Sequence, residues 1–259
     1  MTHGRILFER DNHVCLAYTD LVPDTADAAV QANQFLIIDH GHGALIDPGG
    51  AMTYNELFVG ISRYVPPKKL DMVLASHADP DIVASIGRWL TGSDCSVYVS
   101  GLWARFVPHF AGAGKTEGRI VAIPDPGMRI ALGQAHIVAI PAHFMHSEGN
   151  FQFYDPVSRI LFSGDLGASL VSGAEAAEPV RDFENHIGAM VGFHRRYMIS
   201  RKIGRYWAQM ARGMEIEAIV PQHGKPFVGR EMVRRFIDWI ESLDCGVDLM
   251  TQDHYRVPA

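Results

Sequence analysis

Six residues carry groups that could hold metal ions: His77, Asp79, Asp81, His146, Asp165 and His223. The run His77-Ala78-Asp79-Pro80-Asp81 sets three of them at alternate positions. Alternate side chains of an extended segment share a face, and a turn into a following helix would swing the third toward a neighbouring ion. His146, Asp165 and His223 stand alone in the sequence, each in a polar break after an apolar run. Three neutral imidazoles and three carboxylates suit two divalent ions, because a carboxylate between two cations can bridge them and screen their repulsion. Nitrogen and oxygen donors without a thiolate suit iron, manganese or zinc. Taken singly, each residue has a plainer reading. Asp79 or Asp81 is a good helix N-cap, Asp165 a turn aspartate and His223-Gly224 a turn. The case for metal rests on their convergence.

That convergence depends on the elements behind them. Asp71–Ala75 reads as a short buried strand, with the His77 run at its end and helical spacing resuming over Ile82–Leu90. Strands are also expected at Cys95–Val99, Ile120–Ile123, Arg129–Ala131 and Ala135–Ile140. His146 follows the last of these through Pro141-Ala142-His143-Phe144-Met145. Phe151–Asp155 and Arg159–Ser163 form a hairpin about Pro156, and Asp165 comes just after it. Ile216–Val220 is a strand that leads into Pro221-Gln222-His223-Gly224. All four ligand groups therefore lie just past the C-terminal ends of apolar strands, where a rigid scaffold ordinarily presents a site. Upstream, Phe35–Asp39 and Ala44–Asp47 flank a His40-Gly41-His42-Gly43 turn, and Pro48-Gly49-Gly50 ends the second strand. His40 and His42 are expected to be solvated turn residues. Helices are expected at 53–64, over most of 182–213, and at Glu231–Leu243. Strand-rich blocks alternating with helices predict one α/β domain over 1–259, with two sheets sandwiched between helices.

Composition narrows the function classes. The 259 residues carry 23 Lys and Arg against 29 Asp and Glu, a formal net charge of −6, which argues against a general nucleic-acid binder. No stretch approaches the roughly 20 apolar residues of a spanning helix, and no signal-peptide run opens the chain, so a cytoplasmic protein without a membrane anchor is expected. Cys15, Cys95 and Cys245 are odd in number and widely spaced, suggesting neither a disulfide framework nor a thiolate metal site.

The residues resemble the metallo-β-lactamase superfamily, whose motif usually runs His-x-His-x-Asp-His followed by a later His, an Asp and a final His. Here Asp79 replaces the second histidine and Ile82 the closing one. An acid at the second place marks the diiron branch, seen in flavodiiron oxygen and nitric-oxide reductases. Phe144-Met145-His146-Ser147-Glu148-Gly149-Asn150 and Ile160-Leu161-Phe162-Ser163-Gly164-Asp165 are similar to that branch, and the hairpin at 33–50 is similar to the fold's opening strands. The resemblance implies a four-layer αββα sandwich. It implies one iron on His77, Asp79 and His146, a second on Asp81 and His223, and Asp165 bridging them. Ile82 removes a ligand that some relatives supply to the second iron, implying an open position filled by water or a diatomic molecule.

No phosphate-binding loop of a flavodoxin domain is found, so FMN is not expected in this chain, which resembles the stand-alone oxygen-binding diiron proteins. The implied function is O2 or NO binding, as a sensor or as a slow reductase with an external electron donor. A redox or chemotaxis signalling partner and a homodimer are further expectations from the resemblance. One alternative is a dizinc hydrolase of esters, thioesters or phosphodiesters, in which the metals activate hydroxide. Another is a metal-bearing interaction module, and manganese is an alternative to either metal.

Other residues carry secondary expectations. His143 reads as a donor supporting a ligand or as a gate near the open position, or else as a loop histidine bonded to backbone. Tyr154 reads as a core strand residue. His194-Arg195-Arg196 with Arg201, Lys202 and Arg205 reads as a solvated basic helix face, or as a docking face for an acidic partner. Met190, Met198, Met210 and Met214 read as packing residues.

Overall fold

The computed structural model describes residues 4–22, 30–112, 114–171 and 173–258. Two sheets face one another, and helices cover the outer side of each, as the alternating pattern predicts. The first sheet runs in spatial order through β1 (Arg5–Arg10), β2 (His13–Tyr18), β3 (Gln34–Asp39), β4 (His42–Ile46), β5 (Leu70–Leu74), β6 (Ser96–Ser100) and β7 (Ile120–Ile123). Its first four strands are antiparallel, and β4 to β7 pair in parallel. The second sheet is built from β8 (Met128–Leu132), β9 (Ala135–Pro141), β10 (Phe151–Asp155), β11 (Ile160–Phe162), β12 (Ala218–Val220) and β13 (Phe227–Val228), also in spatial order. There only β11 and β12 pair in parallel.

Three apolar layers hold the sandwich together. Between the sheets, Phe35, Ile37, Leu74, Phe151, Phe153 and Phe162 interdigitate, with the Phe35 and Phe162 rings 5.0 Å apart. The helices α1 (Tyr54–Ile61), α2 (Pro80–Val83), α3 (Ile86–Gly92) and α4 (Val107–Ala111) lie on the first sheet, around Leu57, Ile61, Ile82 and Trp89. The helices α5 (Phe183–Tyr197), α6 (Arg201–Arg212) and α7 (Arg230–Ser242) lie on the second, around Met190, Trp207, Phe236 and Ile240. Strands covered on both faces need apolar side chains on both, which is why Phe35–Ile38 and Ile160–Phe162 are continuous hydrophobic runs. Each fully buried side chain of this size contributes about 1.5–3 kcal/mol.

The two sheets are also joined by charge, at the end away from the predicted ligands. His13 on β2 is buried, with Nδ1 2.9 Å from Asp39 Oδ1 and Nε2 2.9 Å from Asp155 Oδ2. Asp39 belongs to the first sheet and Asp155 to the second. Asp39 Oδ2 accepts further hydrogen bonds from the Gln134 and Ala135 amides at the β8–β9 turn, and Asp155 accepts from the Val157 and Ser158 amides. Burial disfavours a charged imidazole, but the two carboxylates outweigh it and raise the His13 pKa. Both ring nitrogens of His13 thus face carboxylates, one from each sheet.

Several boundaries differ from the sequence reading. The β1–β2 hairpin precedes the predicted opening strands, and β13 follows His223. The long helical stretch breaks at Met198, whose extended backbone (φ −72°, ψ 141°) ends α5 before α6 begins. There the Ile199 amide donates to the Phe144 carbonyl at 3.3 Å, tying the break to the segment before His146. His194, read as part of an exposed basic run, is completely buried on the inner side of α5, while Arg195 and Arg196 are exposed. Arg201 lies 3.2 Å from Asp244. Met190 and Met198 are core residues, and Met210 and Met214 pack against the same layer. Tyr154 donates to the Glu215 carbonyl at 2.7 Å from its strand. The three cysteines are free and buried. Among the described residues, no helix is long and apolar enough to cross a membrane.

Candidate metal centre

The six predicted residues converge at one rim of the sandwich. His77 follows β5 and is 1% exposed; its Nδ1 pairs with Ser76 Oγ at 3.0 Å, which leaves Nε2 facing the centre. The Ser76 amide donates to Asp47 Oδ1 at 2.8 Å, so the end of β4 fixes the start of the His77 run. Asp47 was missed at the sequence level, where it only ended a strand. It is fully buried, and burial pushes its carboxyl up to about 6.

Asp79 occupies the N-cap position of α2 but makes no capping hydrogen bond, so the plainer reading of this residue does not hold. Its Oδ2 lies 3.7 Å from His77 Nε2 and 3.6 Å from His146 Nε2. The His77 and His146 rings meet edge to face at 4.8 Å. His146 sits in a tight loop held by Asn150, whose Nδ2 donates to the Met145 carbonyl at 2.6 Å. Asp81, on the first turn of α2, directs Oδ2 to within 3.2 Å of His223 Nε2. His223 Nδ1 lies 2.8 Å from the Gln31 carbonyl, which fixes the tautomer and presents Nε2 to the centre. Asn33 anchors the same loop by donating to the Pro221 and Gly224 carbonyls, both at 3.0 Å. Gly224 has φ +83°, and a Cβ there would collide with Ser169.

Asp165 occupies the middle and is 5% exposed. Its Oδ2 is 3.0 Å from His146 Nε2 and 3.8 Å from His77 Nε2, while its Oδ1 is 3.6 Å from His223 Nε2. One oxygen thus faces each histidine group. Burial opposes its charge, but the three histidines hold the carboxyl down to about 2. His223 shows the converse, with burial outweighed by Asp81 and Asp165 and the ring raised to about 9.

Two observations test whether the set fits metal. His77 Nε2 and Asp165 Oδ1 are buried, point into the cluster and have no hydrogen-bond partner. Buried polar atoms are rarely left so. The separations of 3.0–3.8 Å also match donors arranged around first-row ions at about 2.0–2.2 Å each. His77, Asp79 and His146 meet the spacing for a single ion. The residues present fit two cations. A second spaced group, His13, Cys15 and Asp155, overlaps the His13–Asp39–Asp155 cluster between the sheets; Cys15 Sγ donates to Asp155 Oδ2 at 3.4 Å, and these hydrogen bonds account for the group.

Ile82 is completely buried in the layer between the first sheet and its helices. His143 turns aside, with Nε2 2.9 Å from the Asp125 carbonyl and its ring edge-on to Phe151. Its arrangement is that of a loop histidine bonded to backbone. His40 pairs with Asp39 and His42 with Asp71, both on the opposite rim. A cavity of about 880 Å³ opens over the centre. It is walled by Val30, Met52, Leu170, Phe193 and Tyr197, with Arg196 at its edge. Phe193 and Tyr197 stack at 4.7 Å, and Tyr197 stands edge-on to His146 at 5.5 Å. Helix α5 supplies this wall, which sequence spacing alone did not connect to the site.

Comparison with known proteins sets this geometry beside measured ones. Residues 30–224 match the family model described as ODP family beta lactamase. A structure of the peroxy diiron species of the chemotaxis sensor ODP is 39% identical, with a TM-score of 0.84 over 95% of this chain and 97% of that one. The apo state of the chemotaxis sensor ODP from T. denticola is 38% identical, with a TM-score of 0.84 over 95% and 96%. Rubredoxin oxygen:oxidoreductase from the anaerobe Desulfovibrio gigas shares the fold at 17% identity, with a TM-score of 0.76 over 92% of this chain and 61% of that one. An uncharacterized protein of Methanocaldococcus jannaschii is 24% identical over 216 residues. The chain spans about half the length of that curated relative, 52% of it.

Proposed function

Since the chain belongs to the ODP family of β-lactamase-fold proteins, we propose that it binds O2, or NO, at a diiron centre held by His77, Asp79, Asp81, His146, Asp165 and His223. The observation that carries this reading is the placement of Asp165, one oxygen toward His77 and His146 and the other toward His223. A single-ion site has no need of a buried carboxylate turned both ways. The similar chemotaxis sensor, whose solved structure holds a peroxy diiron species, supports iron over zinc.

The division of labour follows from the chain's own groups. Asp79 and Asp81 bring charge and hard oxygen donors, which favour the ferric state. His77, His146 and His223 present Nε2, with the other nitrogen of His77 and His223 held by Ser76 and Gln31. The apolar cavity wall favours small uncharged molecules over water. When bound, two irons supply the electrons and the coordination positions that O2 or NO needs. Sustained reduction then depends on electrons from another molecule. A sensing role, with a signalling protein reading the state of the centre, follows the chemotaxis relative.

Metal content tests the proposal. Protein produced with adequate iron is expected to carry two irons per chain and to absorb in the near ultraviolet and visible when oxidised. A colourless protein holding two zinc ions and hydrolysing thioesters would overturn it.

A further inference from the structure

Helix α5 reaches the centre twice, once through the Phe193–Tyr197 wall and once through a residue that touches no proposed ligand. His194 is completely buried on the inner side of the helix. Its Nδ1 lies 2.8 Å from the Met190 carbonyl, one turn back, and an acceptor there requires Nδ1 to carry the proton. Nε2 is then an acceptor, and it receives the Gly167 amide at 3.0 Å. Gly167 lies two residues beyond Asp165, in a turn closed by the Leu166 amide on the Ser163 carbonyl and the Ala168 amide on the Asp165 carbonyl. Those two bonds are internal to the turn and fix its shape. The bond to His194 ties the turn to helix α5.

We propose that His194 is the positioning residue for Asp165, holding the Asp165–Ala168 turn so that one carboxylate oxygen faces each metal position. Several observations support a built contact over incidental packing. Gly167 has φ +102°, and a Cβ there would stand 3.0 Å from the Phe227 ring, so the turn is seated closely against the second core layer. The Leu170 amide donates to the Ala189 carbonyl at 3.0 Å, so α5 grips the same segment again three residues later. Trp239 stands edge-on to the imidazole at 5.0 Å and fills the space beside it. Burial depresses the His194 pKa to about 4, which keeps the ring neutral and Nε2 free to accept. A leucine would fill the site and leave the Gly167 amide without a partner. A glutamine places an amide oxygen near the Nε2 position and keeps the acceptor. An asparagine reaches only as far as Nδ1.

The inference rests on the proposed diiron reading, and a single titration separates the two. Apoprotein of wild type, His194→Leu, His194→Gln and His194→Asn is titrated anaerobically with ferrous iron and then oxidised, with thermal unfolding of each apoprotein measured alongside. His194→Leu is expected to bind iron about 10–100-fold more weakly, the effect typical of removing a group that orients a ligand, and to shift the ferric absorption. His194→Gln is expected to stay within about threefold of wild type with its ferric spectrum restored. His194→Asn is expected to behave like leucine, and it replaces the leucine variant should that one not fold. Equal weakening by glutamine and leucine would overturn the proposal, since bulk alone would then matter. Unchanged iron affinity and spectrum in a destabilised His194→Leu would also overturn it, leaving only a structural staple. Wild type that takes up no iron would sink the diiron reading instead.

Discussion

Replacing Asp165 with asparagine is expected to reduce iron from two ions per chain to one or fewer, and to weaken the remaining ion at least about a hundredfold, equivalent to about 2.8 kcal/mol. An amide has one oxygen and one NH2 group, so it offers a donor lone pair to one side only and turns hydrogens toward the other. It also removes the negative charge that faces all three histidines. The apoprotein should still fold. Asp165 is held in its turn by backbone bonds, the Ala168 amide to its carbonyl among them, and asparagine keeps these. Far-ultraviolet circular dichroism checks the fold, and metal analysis after ferrous loading checks the stoichiometry. Two tightly bound irons in Asp165→Asn would contradict a bridging role for this residue.

The second large effect lies at the other end of the sandwich. His13→Leu is expected to destabilise the protein by about 3–5 kcal/mol, the usual cost of removing one partner from a buried ionic group. At about 2–4 °C per kcal/mol for a chain of this size, the melting temperature should fall by roughly 6–20 °C. Asp39 and Asp155 would remain buried and face each other across the inter-sheet gap without the cation between them. The loss should depend on pH. His13 is raised above its ordinary 6.5, so its contribution is complete below that value and fades as pH rises through the higher folded value. Asp39 is lowered from 3.8 to about 2, so its contribution is complete above 3.8 and fades as pH falls toward 2. The gap between wild type and His13→Leu should therefore be widest between about pH 4 and pH 6.5 and narrow on either side. Thermal unfolding of both apoproteins across pH 3–9 measures it, and a gap that widens steadily above pH 7 would contradict this pairing.

The two ends of the molecule differ in how well the sequence exposes them. The candidate metal rim was legible because its chemistry is local: each proposed ligand comes shortly after an apolar strand, and the fold brings those strand ends together. The groups that orient the ligands were not legible, because they act across long stretches of chain. Asn33 reaches Pro221 and Gly224, Asp47 reaches Ser76, and His194 reaches Gly167. Nothing near any of these three residues in sequence marks the contact. His194 was misread for that reason, since the arginines beside it suggested a charged surface while its ring faces the core. The β1–β2 hairpin has one local cue. Asp11 has φ +53°, the conformation that hairpin turns favour for aspartate and asparagine, and Asp11-Asn12 joins the two strands. The polar edge strand Arg5–Arg10, with exposed arginines at both ends, masked the alternation.

Helix α5 links these observations to function. It carries the Phe193–Tyr197 wall against His146, the His194 bond to the Gly167 amide, the exposed Arg195, and Arg196 at the edge of the cavity.

The central claim is that two irons at this rim meet O2 directly. It is tested by an optical titration: iron-loaded protein is reduced under anaerobic conditions, its spectrum recorded, and O2 added in stoichiometric steps. A new visible absorption that saturates at one O2 per two irons is the expected result, and it should be absent in Asp165→Asn. A spectrum that O2 leaves unchanged, in protein shown to hold two ferrous irons, would contradict the account.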